Sequence, residues 1–513
     1  MDLFRKESLA SYMKTDSQMP KTMNAGDLMA MGIGAVIGSG IFILPGTVAA
    51  NDAGPGVTFS FLAAAVVCGL AGMCYAEFSS AIPVAGSAYS YGNIIYGEFI
   101  GWIMGWALVL EYLLAVACVS TGWAAYFNSL LASCGVNIPK ALSGPFNPAG
   151  GTYINLTAIL SVLLITWLLS YGMHESVRVN NIAIAVKLLI IVAFIVIGIF
   201  FVKKANYHPF LPYGAHGAFK GATTVFFAFL GFDCISSSAA EVKHPQKNMP
   251  IGIIGTLLIA TVLYMGVSLV LTGMVNYKHL DVANPVAFAL QSVHQGWLAS
   301  LLSIGALIGM ATCMFTAIYA SSRLIYSLSR DGLLPTSLHQ LDKKSHTPKV
   351  ALWAVAIVIA IMGGFVSLDS LTNLVNIGTL LAFTMVSFGI IPLRKRDDIL
   401  NEGGFKVPLY PVLPLLSGFA CLFMMSFLSK ETWIGAGIKK PGSGPASGLQ
   451  SAWYSTSAMG IVTATSTIQS SRKPNPCGTE TPAEFKMLPI IFNLKTNDIK
   501  NTGCDHIGQH LFL

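Results

Sequence analysis

Residues 31–46 read MGIGAVIGSGIFILPG, an apolar run that holds five glycines and one proline. Its core, Gly38-Ser39-Gly40, is a poor centre for a continuous helix, because each glycine costs about 1 kcal/mol relative to alanine. Backbone that unwinds at membrane depth is tolerated only against protein or a water-filled cavity, and its free N–H groups favour an anion such as a carboxylate. Close helix packing through small residues is the alternative explanation of this pattern.

The composition of the whole chain indicates a lipid bilayer as its surroundings. Of its 513 residues, 54% are hydrophobic and only 10% are charged, whereas soluble proteins carry about 25% charged residues. The net charge of +7 would suit a nucleic-acid partner, but the basic residues fall in short loops between long apolar runs. We therefore expect a membrane protein that binds no nucleic acid.

Apolar windows long enough to cross a bilayer recur along the chain. A membrane-crossing helix needs about 20 mainly apolar residues, and eleven windows predict such helices. The third window is the longest, so its helix is expected to tilt steeply or to project beyond the bilayer. The windows cover residues 25–46, 57–81, 98–131, 153–172, 180–202, 218–240, 251–275, 297–324, 350–367, 371–392 and 410–429.

The distribution of Lys and Arg predicts the orientation of these helices. With the N-terminus in the cytoplasm, the inside segments hold fifteen of these residues and the outside segments hold six. Basic residues are retained on the cytoplasmic side of membranes. We therefore expect a cytoplasmic N-terminus.

The sixth window contains a second interruption, because residues 225–242 read VFFAFLGFDCISSSAAEV. Gly231 lies at the middle of this run and the acid Asp233 follows two residues later. The first and sixth windows correspond if windows one to five and six to ten form two halves of the protein. Paired interruptions in matching halves indicate the binding site of an inverted-repeat transporter.

Three ionisable residues lie deep inside apolar windows: Glu111, Lys187 and Asp233. A charge at the centre of a membrane helix costs about 2.5–3.5 kcal/mol, so each of them should face the protein interior and find a partner. Burial disfavours the charged form, which suits a group that takes up and releases a proton. A static ion pair that ties helices together is the alternative. Three further acids at window ends, Asp27, Glu77 and Glu241, are explained by helix caps or by side chains reaching towards water.

Motifs of other chemistries are missing from the sequence. The histidines are scattered over loops, the cysteines form no CxxC pair, and no P-loop or catalytic triad pattern is present. We therefore expect no metal, no cofactor and no enzymatic activity.

Four ordered motifs make the chain similar to the amino acid–polyamine–organocation superfamily, and most similar to bacterial permeases of its cationic amino-acid transporter branch. They are GIGAVIGSGIF at 32–42, SAIPVAGSAYSY at 80–91, FFAFLGFDCISSSAAEVKHPQKNMPIGI at 226–253 and SRLIYSLSRDGLLP at 322–335. The resemblance covers about residues 20–438. It implies an all-α polytopic membrane protein with a leucine-transporter-like fold, in which two inverted five-helix repeats are followed by two further helices.

The resemblance also implies roles for residues around the two interruptions. The backbone amides of Ser39 and Gly40, next to Gly38, would bind a substrate carboxylate. The α-amino group would bind the carbonyls of Val36, Phe227 and Leu230, beside Gly231, and Met314 would shape the side-chain pocket. Glu111, Lys187 and Asp233 match positions associated with proton coupling. The Lys187 ammonium would stand in for the sodium ion of sodium-coupled relatives, so the expected coupling ion is H⁺.

The expected organisation has five parts. A cytoplasmic segment (1–24) precedes the first repeat (25–202) and the second repeat (218–392). The eleventh helix and the start of a twelfth occupy residues 410–438. The composition then changes abruptly to Ser, Thr, Gly, Pro and Asn, so residues 439–513 are expected to form a disordered tail, either natural or produced by a frameshift or cloning junction that replaced the last helix.

These expectations combine into one functional hypothesis. The chain imports amino acids across a bacterial plasma membrane by proton symport, as a monomer or weak homodimer. Exchange of one amino acid for another, or for an amine, stays open as an alternative. A sensor that binds an amino acid without transporting it is a hypothesis from a different class, and an integral-membrane enzyme is a more distant one.

Overall fold

The computed structural model describes residues 21–84, 86–171, 177–330, 334–340, 342, 348–396, 399, 403–428 and 432–433. These residues form helices and connecting turns, and among them the only β-type pairing consists of isolated bridges. The protein is therefore an all-α polytopic membrane protein, as predicted. The predicted tail (439–513) lies outside the described residues, as does the expected start of a twelfth helix apart from residues 432 and 433.

A helix lies in each of the eleven predicted windows. In the first half the helices are α1 (Ala25–Val36), α2 (Gly40–Val48), α3 (Val57–Ala81), α4 (Ser87–Ile95), α5 (Glu98–Ser133), α6 (Leu156–Ser170) and α7 (Val177–Gly198). In the second half they are α8 (Gly214–Val225), α9 (Asp233–Ser237), α10 (Pro245–Met274), α11 (Pro285–Ser292), α12 (Gly296–Arg330), α13 (Lys349–Phe365), α14 (Leu368–Leu393) and α15 (Val412–Ser426). Seven of the helical segments in the described residues are long and apolar enough to cross a membrane, and α1, α6, α13 and α15 are shorter apolar helices.

Two of the predicted windows are interrupted. In the first window, α1 ends at Val36 and α2 begins at Gly40, with non-helical backbone at residues 37–39. In the sixth window, α8 passes into a 3₁₀ turn at Phe226–Phe229, and α9 begins only at Asp233. We call residues 37–39 the first break and residues 230–232 the second break. Both interruptions were predicted from the glycine pattern.

The third window forms one continuous helix. α5 contains 36 residues, so at 1.5 Å per residue it is about 54 Å long. The hydrocarbon layer is only about 30 Å thick. The helix must therefore tilt or extend beyond the hydrocarbon, as expected from its sequence.

Two short helices were not predicted. α4 has nine residues and α11 has eight, so neither is long enough to produce a window of membrane-crossing length. α4 is rich in Ser, Tyr and Gly, and all nine of its residues are buried. Tertiary packing, rather than an apolar run, therefore holds this segment as a helix.

The expectation for Glu77 is wrong. Its side chain is only 2% exposed and does not reach towards water. Its carboxylate accepts hydrogen bonds from Nε and Nη2 of Arg394 at 2.6 and 2.7 Å, and a third from the backbone N–H of Val407 at 2.6 Å. Glu77 therefore belongs to a largely buried ion pair between α3 and Arg394, the residue that follows α14. The cap at Asp27 is confirmed, because its carboxylate accepts a hydrogen bond from the Asn24 N–H at 2.9 Å.

Candidate functional site

The two breaks lie side by side and run in opposite directions. A Cβ atom on Gly40 would stand 2.8 Å from the Cα of Ala228, and a Cβ on Gly231 would stand 3.2 Å from the backbone carbonyl carbon of Ala35. Residue numbers thus rise along one segment while they fall along the other. Gly231 also has a φ of +104°, which favours glycine. Opposed segments are the arrangement expected of two inverted repeats.

The first break presents free hydrogen-bond donors. Only Phe42 and Ile43 direct their amides back to the Ser39 carbonyl, at 3.1 Å each. The amides of Ser39, Gly40 and Ile41 have no acceptor in the part of the chain that the structure describes. They lie at the N-terminus of the nine-residue helix α2. Free amides and the positive end of a helix dipole form a binding site for an anion.

Side chains from other helices cap the carbonyls at the end of α1. The Lys187 ammonium, from α7, donates to the carbonyl of Ile37 at 2.6 Å and to that of Gly34 at 3.1 Å. The Cys313 thiol, from α12, lies 3.6 Å from the carbonyl of Ala35. A cation at a helix C-terminus is favourable, because the unsatisfied carbonyls carry partial negative charge. Lys187 therefore stabilises the first break, and its expected role in place of a sodium ion stays a prediction.

The Tyr264 hydroxyl, from α10, contacts a residue shortly before each break. It lies 3.0 Å from the carbonyl oxygen of Val36 and 2.6 Å from that of Ala228. The carbonyl of Phe227 accepts the amide of Leu230 at 3.2 Å. Two of the three carbonyls expected to bind an α-amino group therefore already have donors within the protein.

The second break retains free acceptors. The carbonyls of Phe229 and Leu230 have no donor among the described residues, and the Leu230 side chain is only 6% exposed. Leu230 is thus the expected ammonium acceptor with an unoccupied carbonyl, and Phe229 was not predicted. Free carbonyls beside free amides match the two main-chain charges of an amino acid.

The two buried acids lie close to the second break. Asp233 and Glu111 are 0% and 2% exposed. Tyr112, which follows Glu111 in α5, donates its hydroxyl to Oδ2 of Asp233 at 3.2 Å. Within the described part of the chain, Asp233 Oδ1 and both oxygens of Glu111 have no hydrogen-bond partner. Such unpaired buried carboxyl groups are costly, and inside membrane spans they mark functional sites.

The alternative of a static ion pair among the three predicted charges is wrong for the described residues. No salt bridge there joins Lys187 to Glu111 or Asp233. Lys187 instead contacts backbone carbonyls of the first break, and the two acids lie near the second. The structure therefore brings Glu111 and Asp233 close enough to interact electrostatically, and the Lys187 ammonium is bound by carbonyls rather than by either acid.

Gly38 and Met314 have different surroundings. A Cβ atom on Gly38 would stand 3.3 Å from the sulfur of Cys313, so this glycine permits close approach of α12. Met314 is fully buried in α12, but its neighbour Cys313 is the residue whose side chain contacts the first break. Ser39, in the first break, is only 2% exposed.

Sequence reasoning missed Tyr264, Cys313 and Ala228. Each lies within a long apolar run, where packing in the hydrophobic core is enough to explain it. A tyrosine in the middle of a spanning helix is one weak signal, because its hydroxyl must find a partner when buried.

This arrangement defines a class of protein. Among the described residues, eleven apolar helical segments are present, and two of the predicted windows are interrupted by breaks that pack side by side and carry backbone groups without a hydrogen-bond partner. Non-helical backbone at membrane depth, with ionisable groups beside it, is typical of secondary transporters. The chain is therefore a multi-pass membrane carrier.

The chain belongs to the amino acid permease family, since a model of that family matches residues 26–463. This family is part of the amino acid–polyamine–organocation superfamily. The methylthioribose transporter of Bacillus subtilis (strain 168) is 47% identical over 84% of this chain and 94% of its own length. The branched-chain amino acid permease BcaP of the same strain is 44% identical over 82% of this chain and 92% of its own.

A plant protein is also similar. The vacuolar cationic amino acid transporter 2 of Arabidopsis thaliana is 36% identical over 74% of this chain and 60% of its own length. These proteins are named as permeases and transporters, so the chain belongs to a family of transporters and not of enzymes.

Proposed function

We propose that the protein imports amino acids across the plasma membrane of a bacterium, with a proton as the coupling ion. One observation carries this proposal: among the described residues, the first break has amides without an acceptor and the second has carbonyls without a donor, and the two segments pack against each other. An α-amino acid carries a carboxylate and an ammonium on one carbon, so it can bind both sets at once. The branched-chain amino acid permease BcaP, 44% identical, supports this substrate class.

In the proposed binding mode, the amides of Ser39, Gly40 and Ile41 hold the carboxylate. The carbonyls of Leu230 and Phe229 hold the ammonium. The dipole of α2 favours the carboxylate at its N-terminus. The side chain of the substrate then lies beyond these groups, where Met314 and its neighbours would limit its size. Alternating access requires the helices around the breaks to move relative to the others while the site itself is kept.

Proton coupling rests on Asp233 and Glu111. Both are buried beside the second break, and three of their four carboxyl oxygens have no partner among the described residues. A proton on this pair would change the local charge next to the substrate. Lys187 donates to carbonyls of the first break, where its ammonium takes the place of a sodium ion, which favours protons over sodium as the coupling ion.

A second candidate substrate is methylthioribose, because a methylthioribose transporter is 47% identical to this chain. This sugar lacks the carboxylate and ammonium that would match the two breaks. Its hydroxyl groups could hydrogen-bond to the same amides and carbonyls, although without the charge-assisted bonds that an amino acid forms.

The proposal is tested by uptake of radiolabelled amino acids and methylthioribose into proteoliposomes. Uptake is measured with an inward proton gradient, with that gradient collapsed, and in vesicles preloaded with unlabelled substrate. We expect one or a few amino acids to accumulate only with the gradient. Accumulation of methylthioribose alone would favour the second candidate, uptake only into preloaded vesicles would favour exchange, and binding without flux would favour a sensor.

A further inference from the structure

We infer that the Tyr264 hydroxyl is a brace between the two breaks, which makes Tyr264 a positioning residue for the ligand held there. This role goes beyond the proposed function. The effect of the Tyr264 hydroxyl on amino-acid affinity rests on that function. It begins from the position of one oxygen atom, 3.0 Å from the carbonyl of Val36 and 2.6 Å from that of Ala228.

These two carbonyls belong to different halves of the protein. Val36 ends α1, immediately before the first break, and Ala228 lies in the 3₁₀ turn before the second. Helix ends leave carbonyls that need donors. The Tyr264 hydroxyl is within hydrogen-bonding distance of both carbonyls. Because the Ala228 carbonyl is closer, we assign the hydroxyl proton mainly to that carbonyl. The Val36 carbonyl also accepts the amide of Gly38 at 3.0 Å.

The ring of Tyr264 is held in place. It is fully buried, and it packs against Phe229 at 5.0 Å and Phe61 at 5.4 Å between ring centroids. Because packing fixes the ring, the hydroxyl has a fixed position relative to α10. The phenol therefore anchors the ends of both breaks to one continuous helix.

The brace sets the spacing between the groups that would bind substrate. The free amides follow Val36 by three to five residues, and the free carbonyls of Phe229 and Leu230 follow Ala228 directly. The carboxylate and ammonium of an amino acid are a fixed distance apart. A shift of one break relative to the other therefore weakens one of the two charge-assisted contacts.

The first test does not depend on any substrate. Tyr264→Phe deletes the hydroxyl and keeps the ring, and hydrogen–deuterium exchange is measured on peptides that cover residues 36–42 and 228–233. Loss of one buried hydrogen bond is expected to speed exchange there about five- to tenfold. The control is Tyr96→Phe, because Tyr96 donates its hydroxyl to the Met385 carbonyl at 2.9 Å, outside both measured peptides.

A pair of unnatural residues at position 264 keeps the test informative if Tyr264→Phe does not fold. p-Methylphenylalanine has the shape of tyrosine without a donor, and p-aminophenylalanine retains one. We expect fast hydrogen–deuterium exchange in the protein with p-methylphenylalanine. We expect a rate close to that of the wild type in the protein with p-aminophenylalanine. Equal exchange in the two proteins, or unchanged exchange in Tyr264→Phe, would overturn the brace.

The second test measures transport. Tyr264→Phe is expected to raise the KM for a transported amino acid about tenfold while kcat stays within about twofold of wild type. A general folding defect would instead lower the amount of active protein and leave KM unchanged, and that result would count against the inference. Hydrogen–deuterium exchange can speed up in Tyr264→Phe as expected while the wild type takes up no amino acid. In that case the proposed function fails and the brace stands.

Discussion

The Cα atom of Ala228 lies 2.8 Å from the position that a Cβ atom on Gly40 would occupy. The contact joins backbone to backbone across the two breaks, so no flexible side chain can move aside to relieve it. Only glycine at position 40 allows the first α2 amides to lie this close to the second break. The proximity of free donors to free acceptors therefore depends on the missing side chain of one residue.

Substitution of Gly40 should separate the two breaks. In Gly40→Ala the new methyl group overlaps Ala228, and overpacking of this kind costs about 1–3 kcal/mol. We expect amino-acid affinity to fall at least about tenfold, and Gly40→Val to abolish binding. Isothermal titration of the purified protein measures the change. The control is Gly69→Ala in α3, where a Cβ atom meets nothing within 4 Å; wild-type affinity in Gly40→Val would refute the site.

Removal of the titratable group at Asp233 should uncouple transport from protons. Asp233→Asn keeps the size of the side chain and an oxygen for the Tyr112 hydroxyl, but it cannot bind and release a proton. We expect uptake driven by a pH gradient to be lost and exchange into preloaded vesicles to be partly retained.

Both assays are run on the same preparation of Asp233→Asn proteoliposomes. The exposed helix cap Asp27 provides the control variant Asp27→Asn, which should keep gradient-driven uptake. If Asp233→Asn also keeps it at the wild-type level, Asp233 does not carry the proton.

Loss of the Lys187 ammonium should destabilise the first break. Lys187→Met retains the length of the side chain but leaves the Gly34 and Ile37 carbonyls without their donor. An unsatisfied buried acceptor costs about 1–3 kcal/mol. Lys187→Met should therefore unfold at a lower temperature than the wild type. Lys220→Met should change the unfolding temperature little, because Lys220 is 55% exposed in its ion pair. Equal effects of the two substitutions would argue against a specific role for Lys187.

The buried pair of Glu77 and Arg394 should contribute more to stability than an exposed pair. Glu77→Gln leaves the guanidinium without its charge partner, and breaking a buried pair costs about 3–5 kcal/mol. The pair of Asp52 and Lys220 gives the comparison, because its lysine is 55% exposed and surface pairs contribute about 0–1 kcal/mol. Denaturant unfolding of Glu77→Gln and Asp52→Asn measures both, and a loss below about 1 kcal/mol in Glu77→Gln would contradict the assignment.

The sequence predicts the helices and both breaks because the signals are local. Apolar windows reflect the thickness of the bilayer, and Gly38, Gly40 and Gly231 disrupt helices in their own neighbourhood. Unpartnered acids such as Asp233 stand out against an apolar background. The helices, the positions of the breaks and the nearby acids could therefore be predicted without coordinates.

Contacts between distant segments could not be predicted. Arg394 follows Glu77 by 317 residues, and nothing near Glu77 in the sequence indicates a partner. Tyr264 and Cys313 lie in apolar runs where a core role explains them equally well. The carbonyl of Val36 was expected to be free, but the donor that occupies it comes from a helix more than 200 residues away.

The claim that the two breaks hold the main-chain charges of an amino acid is tested most directly by ligand derivatives. Purified protein is titrated with the transported amino acid, with its methyl ester, and with its N-acetyl form. The account predicts that the free amino acid binds and that each blocked form binds at least about tenfold more weakly, because each loses one charge-assisted contact. Equal affinity for all three compounds would contradict it.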